Sequence, residues 1–308
     1  MRETGLLVLS MIVTWKFQPG PPEEHSVAGS IEHGGLRRTY LLHVPPSLRK
    51  GAPVPLVLAL HGGGGTGLGM ETVTGLSLLS DRHGFIVVYP DAVGKNWNDG
   101  RGLRQLRSQR EDIDDPGFMA ALVEDLRRSH GVDPARVYAT GISNGAIFCH
   151  ALAAKRAGLV AAIAPVVGGM APSVAADFAP ARPVSVIVVQ GTADPLVPFA
   201  GGAVAWNRGR ILPTAEAVGK WVEHDGCGPE PLREELPDRD PRDGMRVRRD
   251  TYGGGKEGTE VVLVTVEGGG HTWAGGLQYL PERTIGKTCR DVDASALIWE
   301  FFSRHPRP

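Results

Sequence analysis

The feature that most restricts the fold of this chain is a repeated alternation of short apolar runs with amphipathic stretches. Each apolar run stops at a loop built from glycine, proline or aspartate. The runs at 54–60 (VPLVLAL), 85–89, 136–140, 162–167, 184–190 and 260–266 are β-type segments, and such runs predict strands. Between them, helices are predicted over 71–83, from Asp115 through FMAALVEDLRRSH, and from Asn144, Thr214 and Asp291. Asp115-Pro116 reads as an N-cap followed by proline at the first helical position. Strand and helix taking turns in this way predicts an α/β protein with a mostly parallel central sheet and helices on both faces. Two earlier segments, 26–31 and 36–44, predict a hairpin joined at Gly34-Gly35, and the charged, proline-broken stretch 229–244 predicts an exposed loop. About 16 residues separate the runs at 162–167 and 184–190, too few for a large lid domain. With no internal repeat, residues 25–308 read as a single catalytic domain.

Composition removes several function classes. With 33 basic and 34 acidic residues the net charge is -1, which gives no electrostatic basis for binding nucleic acid. Three cysteines, and no CxxC or HExxH pattern, leave a disulfide scaffold or a zinc site without support. Residues 5–14 (GLLVLSMIVT) form an apolar run too short to span a bilayer, so stable membrane insertion is not expected. Residues 1–24 read either as a signal peptide, favouring a secreted or periplasmic protein over a cytoplasmic one, or as an N-terminal extension with a proline-rich linker. If the chain is exported, Cys227 and Cys289 are expected to pair, and Cys149 to be buried and reduced.

The chemistry begins at Gly141-Ile142-Ser143-Asn144-Gly145. This GxSxG pattern lies between the β-type run RVYAT and the helical segment AIFCHALAAK, the setting of a nucleophile elbow that lifts a serine hydroxyl above a sheet. A serine hydroxyl needs a histidine base and an acid to orient that base. Downstream, Asp194 follows the run VSVIVVQ and His271 follows EVVLVTV. Both are strand-end positions, where catalytic groups of open parallel sheets gather. Asp177, Asp225, His224 and His305 are the rivals, and they lack that setting. Oxyanion donors are expected from the Asn144 N–H and from the loop His61-Gly62-Gly63-Gly64-Gly65, with Gly63 preferred and Gly64 next. The loop is not phosphate-binding, because no GK[ST] follows it.

The ordered set LHGGGG, NWNDGRG, GISNGA, GTADPLVP and GGGHTWAGG resembles the polyhydroxybutyrate depolymerase and feruloyl esterase type of α/β-hydrolase, akin to carbohydrate esterase family one. The resemblance covers residues 30 to 304. It implies the α/β-hydrolase fold and the triad Ser143, Asp194 and His271, in agreement with the reading of the residues. Many depolymerases carry a cysteine in the oxyanion loop where this chain has Gly63, which turns the expectation toward feruloyl or acetyl xylan esters. The substrate would then be a small-molecule or polysaccharide-linked ester. A short-chain polyhydroxyalkanoate or polyester depolymerase, or a serine peptidase on the same fold, is the alternative. Trp97 and Trp273 are expected at the rim of a shallow site, where their rings could stack on a sugar or a phenolic acid. Helix capping accounts for Asp115 beside Asp114, and neither a metal nor a cofactor is implied.

Overall fold

The structure, a computed structural model, describes residues 26–48 and 51–308; the expectation for residues 1–24 falls outside them. The strands are β1 (Ser26–His33), β2 (Leu36–His43), β3 (Val54–Leu60), β4 (Ile86–Pro90), β5 (Val132–Ile142), β6 (Ala162–Val166), β7 (Ser185–Gly191), β8 (Gly202–Ala203), β9 (Arg210–Ile211), β10 (Leu232–Glu235), β11 (Arg246–Tyr252) and β12 (Val261–Glu267). Ten of them form one sheet in the order β1-β2-β4-β3-β5-β6-β7-β12-β11-β10, and β8 and β9 form a small separate pair. The block from β4 to β12 is parallel, with antiparallel strands β2 and β11 at its two sides. Strands β3 to β7 and β12 therefore all end at the same edge of the sheet, which is where the site forms.

Why the middle strands read as unbroken apolar runs is plain from their surroundings. All seven residues of β3 are buried. Leu56, Leu58 and Leu60 face a layer of helices at Asp115–His130, Asn144–Lys155 and Thr214–Asp225. Val57 and Ala59 face the opposite layer, where Phe301 and Phe302 of the helix Ala294–Arg304 and Met70 and Val73 of the helix Gly67–Thr74 lie. Apolar side chains are thus needed on both faces. The architecture is the α/β-hydrolase fold. Among the described residues no helix is long and apolar enough to cross a membrane.

Four expectations change. The helix expected over 71–83 is two helices, Gly67–Thr74 and Leu76–His83, divided at Gly75, whose φ of 60° puts it in the left-handed region that ends a helix. The cap of the helix Asp115–His130 is Asp114, which accepts from the Gly117 N–H at 2.8 Å. Asp115 is instead buried, paired with Arg38 at 2.7 Å and accepting from the Asn98 N–H. The stretch 229–244 contains β10, which pairs with β11 through opposed charges, Arg233 across from Asp250 and Glu234 across from Arg249. Finally, Cys227 and Cys289 are free and lie in core clusters on opposite faces of the sheet, so the sheet itself separates them.

Candidate active site

At the end of β5 the chain turns abruptly into the helix Asn144–Lys155, and Ser143 occupies the turn with φ 57° and ψ -119°. This is a backbone conformation that residues with a Cβ avoid, and its cost is met where surrounding structure over-determines it. The Ser143 N–H donates to the Val166 carbonyl of β6 at 3.0 Å. The flanking glycines are required by contact. A Cβ on Gly145 would fall onto the carbonyl oxygens of Leu60 and His61, and one on Gly141 would lie 2.6 Å from the Gly145 carbonyl carbon. The helix can therefore approach β3 only without side chains there. Ser143 remains partly exposed, while Asn144 beside it is buried.

Asp194 and His271 come together from the loops after β7 and β12. His271 Nδ1 donates to Asp194 Oδ2 at 2.7 Å, and Asp194 Oδ1 accepts from the Leu196 and Val197 N–H groups, each at 2.8 Å. The carboxylate is thereby fixed in orientation. The Ala193 N–H donates to the Gly269 carbonyl at 3.0 Å and ties the two loops to each other. Tyr279 Oη donates to the His271 carbonyl at 2.7 Å. Asp225 and His224 pair with each other elsewhere, and His305 faces Glu260.

The glycine loop after β3 lies against the serine turn. A Cβ on Gly62 would lie 3.4 Å from Ser143 Cβ, and one on Gly63 would lie 3.7 Å from Asn144 Cβ. His61 holds this loop from within the fold. Its Nε2 accepts from the Ala92 N–H at 3.1 Å, so Nδ1 carries the proton and donates to the Gly62 carbonyl at 2.7 Å. Burial lowers the pKa of His61, which keeps it neutral in that role. The Gly64 N–H is already engaged with the Lys95 carbonyl at 2.7 Å, whereas the Gly63 N–H has no partner among the described residues. Of the two glycines, Gly63 alone is free to donate to a bound group.

Trp97 and Trp273 are not at the rim. Both are fully buried. Trp97 stacks on Phe148 and donates its Nε1–H to the His61 carbonyl at 2.9 Å, while Trp273 donates to Ser295 Oγ at 3.0 Å within the opposite core. The loop that carries Trp97 is drawn inward by Asn144, whose Oδ1 accepts the Trp97 backbone N–H at 2.8 Å. Asn144 Nδ2 donates to Asp99 Oδ2 at 2.6 Å, and Asp99 is buried against Arg101 at 2.7 Å. Sequence reasoning noted the motif NWNDGRG but gave no role to Asp99, which anchors the residue after the serine. A separate group, Asp243, Cys289 and Asp291, has ligand atoms within 4.8 Å of one another and so the donor set for a cation. Its carboxylates hold backbone N–H groups of Arg239, Asp240 and Met245.

A strand, a strained serine, a helix, and a carboxylate–histidine pair at the same sheet edge define an α/β-hydrolase. Residues 38–197 match the family described as Esterase PHB depolymerase, and the chain belongs to it as a carboxylic ester hydrolase. That span includes Ser143 and Asp194 and stops short of His271. NocK of Nocardia uniformis subsp. tsuyamanensis, an esterase by name, is 33% identical over 291 residues, covering 90% of this chain and 82% of that protein. Feruloyl esterase B of Piromyces equi is 26% identical over 243 residues, 76% of this chain but 42% of that protein. Among solved structures, an acetyl xylan esterase from Aspergillus awamori superposes with a TM-score of 0.62 at 17% identity, covering 90% of this chain and 99% of that one.

Proposed function

We propose that the protein cleaves carboxylic esters through a serine acyl-enzyme, with Ser143 as nucleophile, His271 as general base and Asp194 as the group that orients His271. The observation that carries this reading is the φ 57° backbone of Ser143 at the end of β5, at the sheet edge that also bears the Asp194–His271 pair. Ser143 Oγ adds to the ester carbonyl carbon as His271 takes its proton. The Gly63 and Asn144 N–H groups receive the oxyanion; the Asn144 N–H is free by helix geometry, since the first N–H groups of a helix have no intrahelical partner. Collapse expels the alcohol oxygen, which takes the proton from His271, and water then releases the acid by the same route in reverse roles. No step requires a metal or cofactor.

For the substrate, feruloyl or acetyl xylan type esters are favoured, in keeping with the names of the feruloyl and acetyl xylan esterase relatives. A fluorophosphonate probe is expected to label Ser143. Ser143→Ala is expected to lower kcat by at least about a thousandfold without loss of fold. Labelling at another residue, or undiminished hydrolysis by the variant, would overturn the assignment.

A further inference from the structure

The two tryptophans expected to meet substrate are buried, but a third is not. Trp206 is 64% exposed, and it lies in the short hairpin between β8 and β9. Trp206 and Asn207 both have φ of 55°, and Gly209 has φ of 82°. This left-handed run is held from two sides. The Ala205 N–H donates to the Leu196 carbonyl at 2.9 Å, on the loop that bears Asp194, and Arg101 Nη1 donates to the Arg208 carbonyl at 2.7 Å.

The hairpin delivers Arg208 to the glycine loop. Arg208 Nη1 lies 3.0 Å from the position a Cβ on Gly63 would take, and Asn96 Oδ1 lies 2.8 Å from that same point. Asn96 Oδ1 is buried with no hydrogen-bond partner among the described residues. Arg101, the nearby cation, is neutralised by Asp99, but the Arg208 guanidinium has no carboxylate partner among the described residues. Burial, and then the charge of Arg101, push the Arg208 pKa below the ordinary arginine value. A half-buried cation without a counter-charge is unfavourable, and an anion brought by a ligand would relieve it. The guanidinium carbon lies over the Trp206 ring, 5.9 Å from its centre, so the planar fork and the exposed indole are presented together.

We propose that Arg208 and Trp206 form a specificity site for esters that carry a carboxylate, the guanidinium binding the carboxylate and the indole covering the apolar part of the same molecule. A guanidinium fork suits a carboxylate because two parallel N–H groups can reach its two oxygens. The inference rests on the assignment of Ser143 and Gly63 to the reacting centre, and it narrows the esters proposed above to those whose acid or alcohol part also carries a carboxylate.

The test compares each carboxylate ester with a neutral amide of nearly the same size. One pair, 4-acetoxybenzoate and 4-acetoxybenzamide, carries the charge on the alcohol side. The other, methyl 4-carboxybenzoate and methyl 4-carbamoylbenzoate, carries it on the acyl side. In at least one pair the wild type should favour the carboxylate by about tenfold or more in kcat/KM, as expected for a charge-assisted hydrogen bond. Arg208→Gln should abolish that preference, Arg208→Lys should restore part of it, and Trp206→Ala should raise KM for both members. No preference in either pair, or an equal loss on all four esters in Arg208→Gln, overturns the inference while fluorophosphonate labelling of Ser143 leaves the reacting centre standing. Absence of labelling at Ser143 in the wild type overturns the centre and the inference together.

Discussion

Replacing Trp97 by phenylalanine separates a packing role from a substrate role. The indole is fully buried, its ring lies 5.3 Å from and nearly parallel to Phe148, and its Nε1–H is bonded to the His61 carbonyl at 2.9 Å. Phenylalanine keeps much of the stacking and removes the donor. Leaving a buried carbonyl without its partner costs about 1–3 kcal/mol, and the space vacated by the smaller ring adds about 1 kcal/mol. The expected loss is therefore about 2–4 kcal/mol. At a urea dependence of about 3 kcal/mol/M, this lowers the unfolding midpoint by about 1 M. Trp273→Phe is the internal comparison. Its partner Ser295 still donates to the Thr74 carbonyl at 2.7 Å, so less hydrogen bonding is lost and the expected shift is smaller. Urea unfolding should be read beside kcat/KM on p-nitrophenyl acetate and methyl ferulate. Any loss of activity should be by the same factor on both esters, because the change acts through the loop at His61. An unchanged midpoint with a loss confined to methyl ferulate would return Trp97 to the substrate surface and refute this reasoning.

Two further outcomes follow from buried groups. Burial holds the His150 pKa down from 6.5 to about 4, with the Trp221 Nε1–H donated to its Nδ1. The unfolded chain takes up this proton below pH 6.5 and the folded protein does not until about pH 4, so stability falls across that window as pH falls, by up to about 3 kcal/mol. Asp225, pushed up to about 6 by burial, works in the opposite direction between 3.8 and 6. It is common to wild type and variant, so His150→Gln should lessen the acid-side loss measured by urea unfolding at pH 7.5 and 4.5, and an identical difference in both proteins would count against the neutral buried histidine. Thiol titration without reductant should find no fast-reacting group in the native protein and three after unfolding, since all three cysteines are free and buried and burial pushes the Cys289 thiol up to about 11. Recovery of a single thiol would mean that a bridge exists.

What the sequence made legible was governed by how local each cause is. The runs at Val54–Leu60 and Val261–Glu267 are apolar because both faces of a central strand are covered, so their composition reports their position directly. GISNG was legible because the glycines, the strained serine and the helix start are all consequences of one turn within five residues. At the sheet edge the same logic fails. Strand β11 (RVRRDTY) has an intermediate or exposed residue at most positions and pairs through charges with β10, so it carries no apolar signature. Asp114 and Asp115 both suit a helix start by type, and only the position of Arg38, which is 77 residues away from Asp115, decides which one becomes the cap.

The substrate side of the centre shows the same limit more sharply. Trp97, in the loop after the run at 85–89, and Trp273, two residues after His271, both follow strands that end at the site's edge of the sheet, but that position along the chain does not determine where an indole points. For Trp97 the direction is set by Asn144 and the His61 carbonyl, which draw the loop toward the core. The face left open beside Gly63 is filled instead from the hairpin at 204–209, a segment whose only sequence signal is glycine at turn positions. Arg208 and Gly63 are 145 positions apart, and no periodicity or spacing relates them. A motif fixes the groups that must meet at one turn of the backbone. The groups that choose among esters come from loops whose paths depend on the completed fold, and here they are an exposed indole and a guanidinium with no carboxylate partner among the described residues, rather than Trp97 and Trp273.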